Sequence, residues 1–256
     1  VDDVGYATAA AAGLNGGTIT PTGASVNTKS GFSIIRYTGG SNGASDSVPH
    51  GLGRTPGLIL HKNLDASANW NIKHSGFQSN YGAAFTTTQA QDVTTAYSGG
   101  GFADLTSDTT FGFLSGTANA NNVNENGVDY ICYIWADVPG LQKFGTYEGN
   151  NNADGPFVEL GFNPSIIWTK GVDSASHGWE VHYNRGSSLR QNPQSERLML
   201  DQNVAKATSN HVDFLSNGFK IRNTFSGMNN TTDTYIYCAW ADVPSFNLYG
   251  AQSNAR

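Results

Sequence analysis

The segment YICYIWADVP, residues Tyr130–Pro139, recurs 105 residues later as YIYCAWADVP, residues Tyr235–Pro244. Seven of the ten positions are identical. Both segments are apolar at consecutive positions, which is typical of a central strand covered on each face. The Asp-Val-Pro ending predicts where the strand stops, because proline cannot donate a hydrogen bond to a sheet and aspartate favours turns.

A second pair of segments supports an internal duplication. Leu52–Lys62 matches Leu160–Lys170 at a spacing of 108 residues, and the order of the segments is the same in both copies. A period of this length indicates a repeated domain and not a solenoid unit. We therefore predict an arm over residues 1–30, a first repeat over residues 31–139 and a second repeat over residues 140–256.

The composition favours strands and turns. Charged residues form 13% of the chain, about half the usual share. The 13 Phe, 11 Tyr and 5 Trp argue against disorder, which goes with few aromatic residues. We predict an all-β protein of two tandem antiparallel β-sandwich modules, jelly-roll or lectin-like, with an N-terminal extended arm.

The arm is predicted to lie against another subunit or another protein of the same assembly, because it has few large apolar residues. The chain begins at Val1, so we also expect upstream sequence before it. A net charge of −6 with only 14 Lys and Arg argues against nucleic acid as a partner. No apolar run approaches the about 20 residues that a membrane span needs, so no membrane insertion is expected.

The residues that could carry chemistry do not form a familiar catalytic or metal motif. No serine lies in a Gly-x-Ser-x-Gly elbow, and no histidines share ligand spacing. We expect no enzyme activity, no metal and no cofactor, and interpret the histidines as surface or strand-face residues. Cys132 and Cys238 lie in apolar strands and are predicted to be unbonded and to face opposite sides of their sheets, with a disulfide as the alternative.

Carboxylates at matching places in both repeats favour an architectural role, because an active site normally arises in one copy. Asp65 corresponds to Asp173, and Asp137 to Asp242. The oxygen-rich run 150–155 resembles a calcium loop but lacks the later glutamate of an EF-hand, so a hairpin turn is the competing interpretation.

One constellation suits a ligand, since a sugar ring stacks on an aromatic side chain while amides and carboxylates bind its hydroxyls. It occurs once in each repeat, just before a predicted strand. The alternative is that both tryptophans are core residues. The candidate ligand-binding residues are Asp65, Asn69 and Trp70 in the first repeat and Asp173, His177 and Trp179 in the second.

Four motifs resemble repeat-containing virion proteins of marine tailed phages, including cyanophages: residues 31–39, 50–53, 135–139 and 247–256. The resemblance covers nearly the whole chain. It implies concanavalin-A-like sandwiches in a structural or tail-fibre protein without defined enzymatic residues.

From the resemblance we expect a component of the virion surface, either a receptor-binding tail fibre or a decoration of capsid or tail. Expected partners are other virion proteins, further copies of the chain and a host-surface glycan. The alternatives are a secreted carbohydrate-binding module and, more distantly, a glycan-degrading enzyme.

Overall fold

A computed structural model divides the chain into two compact units, Val1–Thr86 with Gln91–Asp137, and Thr87–Ala90 with Val138–Arg256. The two units meet near residue 137, and the predicted repeats meet between residues 139 and 140. The motif at residues 247–256 lies outside the described residues. The structure describes residues 1–40, 46–85, 87–88, 90–91, 101–114, 121–184, 192–194, 196–208 and 210–243.

The first unit contains two antiparallel sheets. Its elements are β1 (Gly23–Asn27), β2 (Phe32–Thr38), β3 (Ser47–Pro49), β4 (Pro56–Asn63), β5 (Asn71–His74), β6 (Ala83–Ala84), β7 (Thr110–Gly112), the helical turn α1 (Asn121–Asn124) and β8 (Asp129–Ala136). The larger sheet has the order β1-β2-β8-β4-β5-β6, and β3 pairs with β7 in the smaller one.

The second unit repeats this plan. Its elements are β9 (Gln142–Glu148), β10 (Phe157–Glu159), β11 (Pro164–Gly171), β12 (Glu180–Tyr183), β13 (Glu196–Met199), β14 (Ala207–Thr208), β15 (Val212–Leu215), β16 (Gly218–Ile221), the helical turn α2 (Ser226–Asn229) and β17 (Thr234–Ala241). The larger sheet has the order β14-β13-β12-β11-β17-β9, and the smaller one has the order β10-β16-β15.

The predicted all-β sandwich fold is confirmed, and helix in the described residues is limited to two four-residue turns. The strands β8 and β17, which hold the quoted repeat, lie at equivalent interior positions. β8 lies between β2 and β4, and β17 lies between β9 and β11. Both cysteines are free. Cys132 belongs to the first core, whereas Tyr237 and Ala239 on either side of Cys238 face the second core, as the alternation along a strand requires.

A stacked tyrosine pair lies at the same place in each core. The ring centroids of Tyr37 and Tyr130 are 5.3 Å apart with 24° between the ring planes. Those of Tyr147 and Tyr235 are 5.1 Å apart with 13° between the planes. All four rings are buried. The two copies thus keep the same interior geometry.

The tyrosine from β2 or β9 in each pair is anchored to a helical turn by its hydroxyl. Tyr37 donates to the carbonyl of Val123 in α1, and Tyr147 donates to the carbonyl of Met228 in α2 at 2.9 Å. The Tyr37 hydroxyl also lies 2.9 Å from Nε2 of His61. Because a buried hydroxyl without a partner is costly, these bonds fix the ring positions.

The prediction that residues 1–30 form an arm directed at a neighbour is wrong. Within this segment β1 pairs with β2 over five residues. The side chains of Leu14, Ile19 and Val26 are buried in the core of the first unit, with 2%, 8% and 5% exposure. Three aliphatic side chains therefore suffice to hold a segment that otherwise consists of small residues.

The sequence alternation over β5 and β12 predicts half-buried strands, but both strands are buried on each face. Lys73 pairs with Ile59 and His182 pairs with Ile167, so these polar side chains share a face with core residues. Lys73 is 2% exposed and His182 is fully buried. The interior of each sandwich is thus apolar around the tyrosine pair and polar along β5 or β12.

The two large sheets end differently at one edge. In the first unit β1 covers the edge of β2. In the second unit β9, the counterpart of β2, has β17 as its only paired strand among the described residues. Lys143 of β9 lies opposite the core residue Ala239, and its Nζ donates to the carbonyl of Glu159 at 2.8 Å.

Candidate functional site

The candidate ligand-binding residues lie in the loop from β4 to β5 and in the loop from β11 to β12. Asp65 and Asp173 are exposed, but each carboxylate accepts a backbone hydrogen bond. Oδ2 of Asp65 accepts from the N–H of Asp129 at 2.7 Å, and Oδ2 of Asp173 accepts from the N–H of Thr234 at 2.7 Å. Asp129 and Thr234 are the first residues of β8 and β17, so both aspartates fix the start of the central strand.

A lysine in the preceding strand donates a hydrogen bond to a carbonyl of each of these loops. Lys62 donates to the carbonyl of Ala68, and the equivalent Lys170 donates to the carbonyl of His177. Lys170 is 1% exposed, and burial lowers its pKa to about 8. Because the ammonium groups bind loop carbonyls, the loops are ordered by interactions that recur in both copies.

The two tryptophans differ in exposure. Trp70 is half-buried, with its ring centroid 6.1 Å from that of Tyr133. Trp179 is fully buried. Its backbone N–H donates to Oδ1 of Asp201, and its backbone carbonyl accepts from the N–H of Leu200, at 3.1 Å each. Only Trp70 therefore presents ring surface to which a sugar could stack.

Asn69 and His177 occupy different environments. Asn69 is half-buried beside Trp70. His177 is 5% exposed and its Nδ1 lies 3.6 Å from Oδ2 of Asp233. Burial lowers the pKa of His177, and the nearby Asp233 carboxylate opposes that shift. The ring also stacks on Tyr235 at 5.9 Å, which places His177 against the core.

The structure contains a buried polar cluster that the sequence patterns did not single out. Nη1 of Arg197 lies 2.9 Å from both carboxylate oxygens of Glu180, which is 1% exposed. The Arg197 guanidinium lies 4.8 Å from the ring centroid of Phe225, and His211 stacks on the same ring at 4.5 Å. The alternation Glu180-Val181-His182 contained the signal, but it does not say which face is internal.

The electrostatics of this cluster are those of a structural ion pair among neutral imidazoles. Burial raises the pKa of Glu180, and the charge and hydrogen bonds of Arg197 oppose this shift. Burial lowers the pKa of His182 to about 3 and that of His211 to about 4. At neutral pH both imidazoles are uncharged, and the Glu180 carboxylate is occupied by Arg197.

The histidines are mostly interior residues, which corrects the surface half of the interpretation, whereas His61, His74 and His182 do lie in strands. Four have no exposed surface, His177 is 5% exposed, and His211 is half-buried. Burial lowers the pKa of His50 to about 4 and that of His61 to about 3. The four without exposed surface are His50, His61, His74 and His182.

The run at residues 150–155 has the contacts of a turn. Oδ1 of Asn150 accepts from the N–H of Asn152, and Oδ1 of Asn152 accepts from the N–H of Asp154, at 3.0 and 2.9 Å. The Asp154 carboxylate lies 2.8 Å from Nζ of Lys220. The side-chain oxygens of this run thus take part in the turn and in an ion pair. Within the described ranges no group of three or more His, Cys, Asp or Glu residues could hold a metal ion.

These features define the class of the protein as a duplicated all-β protein with two sandwich units of one plan. The chain belongs to the family described as a domain of unknown function, DUF7483, whose model matches residues 5–244. The match runs through both units. Comparison with curated proteins and with solved structures found no match. None of the helices in the described part is long and apolar enough to cross a membrane.

Proposed function

We propose that this chain is a structural protein of the bacteriophage virion surface that acts by binding and not by catalysis. In this proposal it is a tail fibre or a decoration of capsid or tail, it assembles with further copies and with other virion proteins, and it contacts host-surface glycans. The resemblance of residues 31–39, 50–53 and 135–139 to phage repeat proteins supports the proposal.

The observation that favours a structural role over a catalytic one is the use of the same polar contacts in both copies. Asp65 and Asp173 accept equivalent backbone hydrogen bonds, and Lys62 and Lys170 hold equivalent loops. A catalytic pair for glycan cleavage needs two carboxylates free to face one substrate, about 5–10 Å apart. Carboxylates committed to strand starts in each repeat favour architecture.

The test is to locate the chain on particles. Antibodies against the recombinant chain are applied to purified particles of the phage that encodes it, and bound gold is imaged by electron microscopy, with mass spectrometry of the same particles in parallel. We expect labelling at one site on the particle and peptides from both repeats. Absence from washed particles would contradict the virion assignment.

The two alternatives give different results. A secreted carbohydrate-binding module should appear in the culture supernatant, stay off the particles and be monomeric by light scattering. A glycan-degrading enzyme should release reducing ends from host polysaccharide, and substitution of a single carboxylate should stop that release. We expect no such release from the wild-type chain.

A further inference from the structure

Four aromatic side chains lie on the outer face of the large sheet in the first unit, the face that points away from the core. Along β8, Tyr133 and Trp135 alternate with buried core residues of the same strand, so both side chains point outward. Phe32 of β2 lies directly opposite Trp135 and shares its face. Trp70, just before β5, completes the set through its contact with Tyr133. We call these four residues the aromatic strip.

The rings of the aromatic strip contact one another in two pairs. The centroids of Phe32 and Trp135 are 4.8 Å apart with 37° between the ring planes. Those of Trp70 and Tyr133 are 6.1 Å apart with 35° between the planes. The two pairs are neighbours, because Tyr133 and Trp135 are two positions apart on one face of β8. All four residues are half-buried, so each keeps some surface accessible to solvent.

The aromatic strip lies beside a part of the outer face that the chain itself covers. Leu58 of β4 pairs with Trp135 on one side and with His74 of β5 on the other, so it shares the outer face. Both Leu58 and His74 are fully buried, and the ring of Phe77 lies 5.9 Å from that of His74. The segment after β5 therefore covers this part of the face, whereas the rings on β2 and β8 remain partly open.

Two members of the aromatic strip have polar atoms that are open to a ligand. Within the described part of the chain, neither the indole N–H of Trp70 nor the hydroxyl of Tyr133 makes a hydrogen bond, and neither atom is buried. The basic side chains Lys62 and Arg36 on the same face are engaged, one with a loop carbonyl and the other in an ion pair. Aromatic rings beside open O–H and N–H groups match a ligand with apolar ring faces and hydroxyls, as a sugar has.

The second unit does not repeat the aromatic strip. Gln142 and Cys238 stand at the positions of Phe32 and Tyr133, and the counterpart of Trp70 is fully buried. The counterpart of Trp135 is Trp240, which is half-buried, but its two aromatic neighbours pack edge-on against it, at 83° and 63°. The plan shared by the two units therefore does not require the strip, which favours a role that belongs to the first unit alone.

We propose that the aromatic strip binds an extended glycan chain. Successive sugar rings stack on successive aromatic rings, and sugar hydroxyls bond to the indole of Trp70 and the hydroxyl of Tyr133. The inference rests on the proposed function, in which the chain contacts host-surface glycans, and it assigns that contact to the outer sheet face of the first unit. Because neighbouring sugars of one chain bind side by side, affinity increases with chain length.

The test uses the full chain and isothermal titration calorimetry. The ligands are cellohexaose, xylohexaose, mannohexaose, chitohexaose and the surface polysaccharide extracted from the strain that the phage infects. We expect at least one of them to bind with a dissociation constant of about 0.1 mM, and fragments of one or two sugars from the same ligand to bind at least about tenfold more weakly. Added salt should leave the affinity unchanged, since stacking does not depend on net charge.

Three variants probe the aromatic strip, and a fourth is the control. Phe32→Gln and Tyr133→Cys introduce the residues that the second unit accommodates at the same strand positions, and Trp70→Ala removes a ring that lies outside the strands. Each should weaken binding at least about tenfold, with hydrogen exchange in the first core unchanged. Phe157→Ala is the control, because Phe157 lies in the second unit and is 45% exposed. It should bind like the wild type.

Several outcomes would overturn the inference. They are the absence of binding with every ligand, an affinity that does not depend on chain length, or wild-type affinity in Trp70→Ala. If either strand variant fails to fold, Trp70→Ala decides alone. Self-association in light scattering that Trp70→Ala abolishes, without glycan binding, would show that the strip joins two copies. A chain found on particles that binds no glycan contradicts only this inference, whereas glycan binding by a chain absent from particles contradicts only the virion assignment.

Discussion

The two units agree at the centre of their large sheets and differ at one edge. At the centre, each has a stacked tyrosine pair anchored to a helical turn. At the edge, the first unit adds β1, whereas the second has Lys143 pointing inward. An inward-pointing charge on an edge strand disfavours pairing with a further strand. The duplicated features therefore lie at the centre of each large sheet, whereas the edge strands of the two copies are protected in different ways.

The largest expected effect comes from removing residues 1–30. The deletion removes β1 and the buried side chains of Leu14, Ile19 and Val26, at about 2 kcal/mol for each side chain before strand pairing is counted. We expect the first unit to unfold at a much lower temperature in calorimetry, while hydrogen exchange in the second unit is unchanged. Val26→Asp should act in the same direction, and Ser25→Asp, exposed on the same strand, is the control. Unchanged stability after the deletion would show that residues 1–30 are an arm and not part of the folded unit.

Acid should destabilise both units through different histidines. Burial lowers the pKa of His61 and of His182 from 6.5 to about 3. The unfolded chain takes up protons below pH 6.5 while the folded chain does not, so stability is full above pH 6.5 and decreases as the pH falls towards 3. The loss is about 1.4 kcal/mol per pH unit for each histidine.

Urea unfolding between pH 7 and pH 5, followed for each unit by hydrogen exchange, measures this loss. His61→Gln should reduce the pH dependence of the first unit and leave that of the second unchanged. The pH slope is the readout, because a packing change alters stability at every pH alike. An unchanged slope in the variant would contradict a neutral, buried His61.

Removing a tyrosine hydroxyl should cost about 1–3 kcal/mol in either unit, because a buried acceptor loses its donor. We expect Tyr37→Phe to cost more than Tyr147→Phe, since Nε2 of His61 also loses its partner. Urea unfolding gives the difference, with Tyr6→Phe at the exposed Tyr6 as the control. Equal costs would show that the His61 contact contributes little.

The smallest expected effect is at the loop aspartates. Asp65→Ala and Asp173→Ala each remove one exposed acceptor for a strand-start N–H. We expect the melting temperature to fall by a few degrees, about 2–4 °C, and equally in the two units. Asp65→Asn keeps an acceptor and should recover part of the loss. Lost glycan binding without lost stability would instead indicate that these carboxylates contact a ligand.

The centre of each unit was predictable from the sequence because both copies must satisfy the same buried contacts. The repeated strands around Trp135 and Trp240 were placed correctly, and so were the free cysteines and their opposite facing. Identity between distant segments reports shared packing, and alternation along a strand then fixes relative side-chain direction.

The burial of the N-terminal segment and of the polar side chains in β5 and β12 was not predictable in the same way. Leu14, Ile19 and Val26 follow neither a helical nor a strand period, so nothing in their spacing indicates a core. Alternation in β5 and β12 separates two faces but does not show that Lys73 and His182 lie on the internal one. Likewise, Trp70 and Trp179 follow loops of similar composition, and only the surrounding strands decide which ring is exposed.

The lysine of β9 also bears on how such proteins can lengthen in evolution. A copy that needed its own lead-in strand could be appended only together with that strand, and a duplication without it would leave an exposed, adhesive edge. In the second copy Lys143 supplies a charge at this edge instead, which disfavours pairing of its first strand with stray strands.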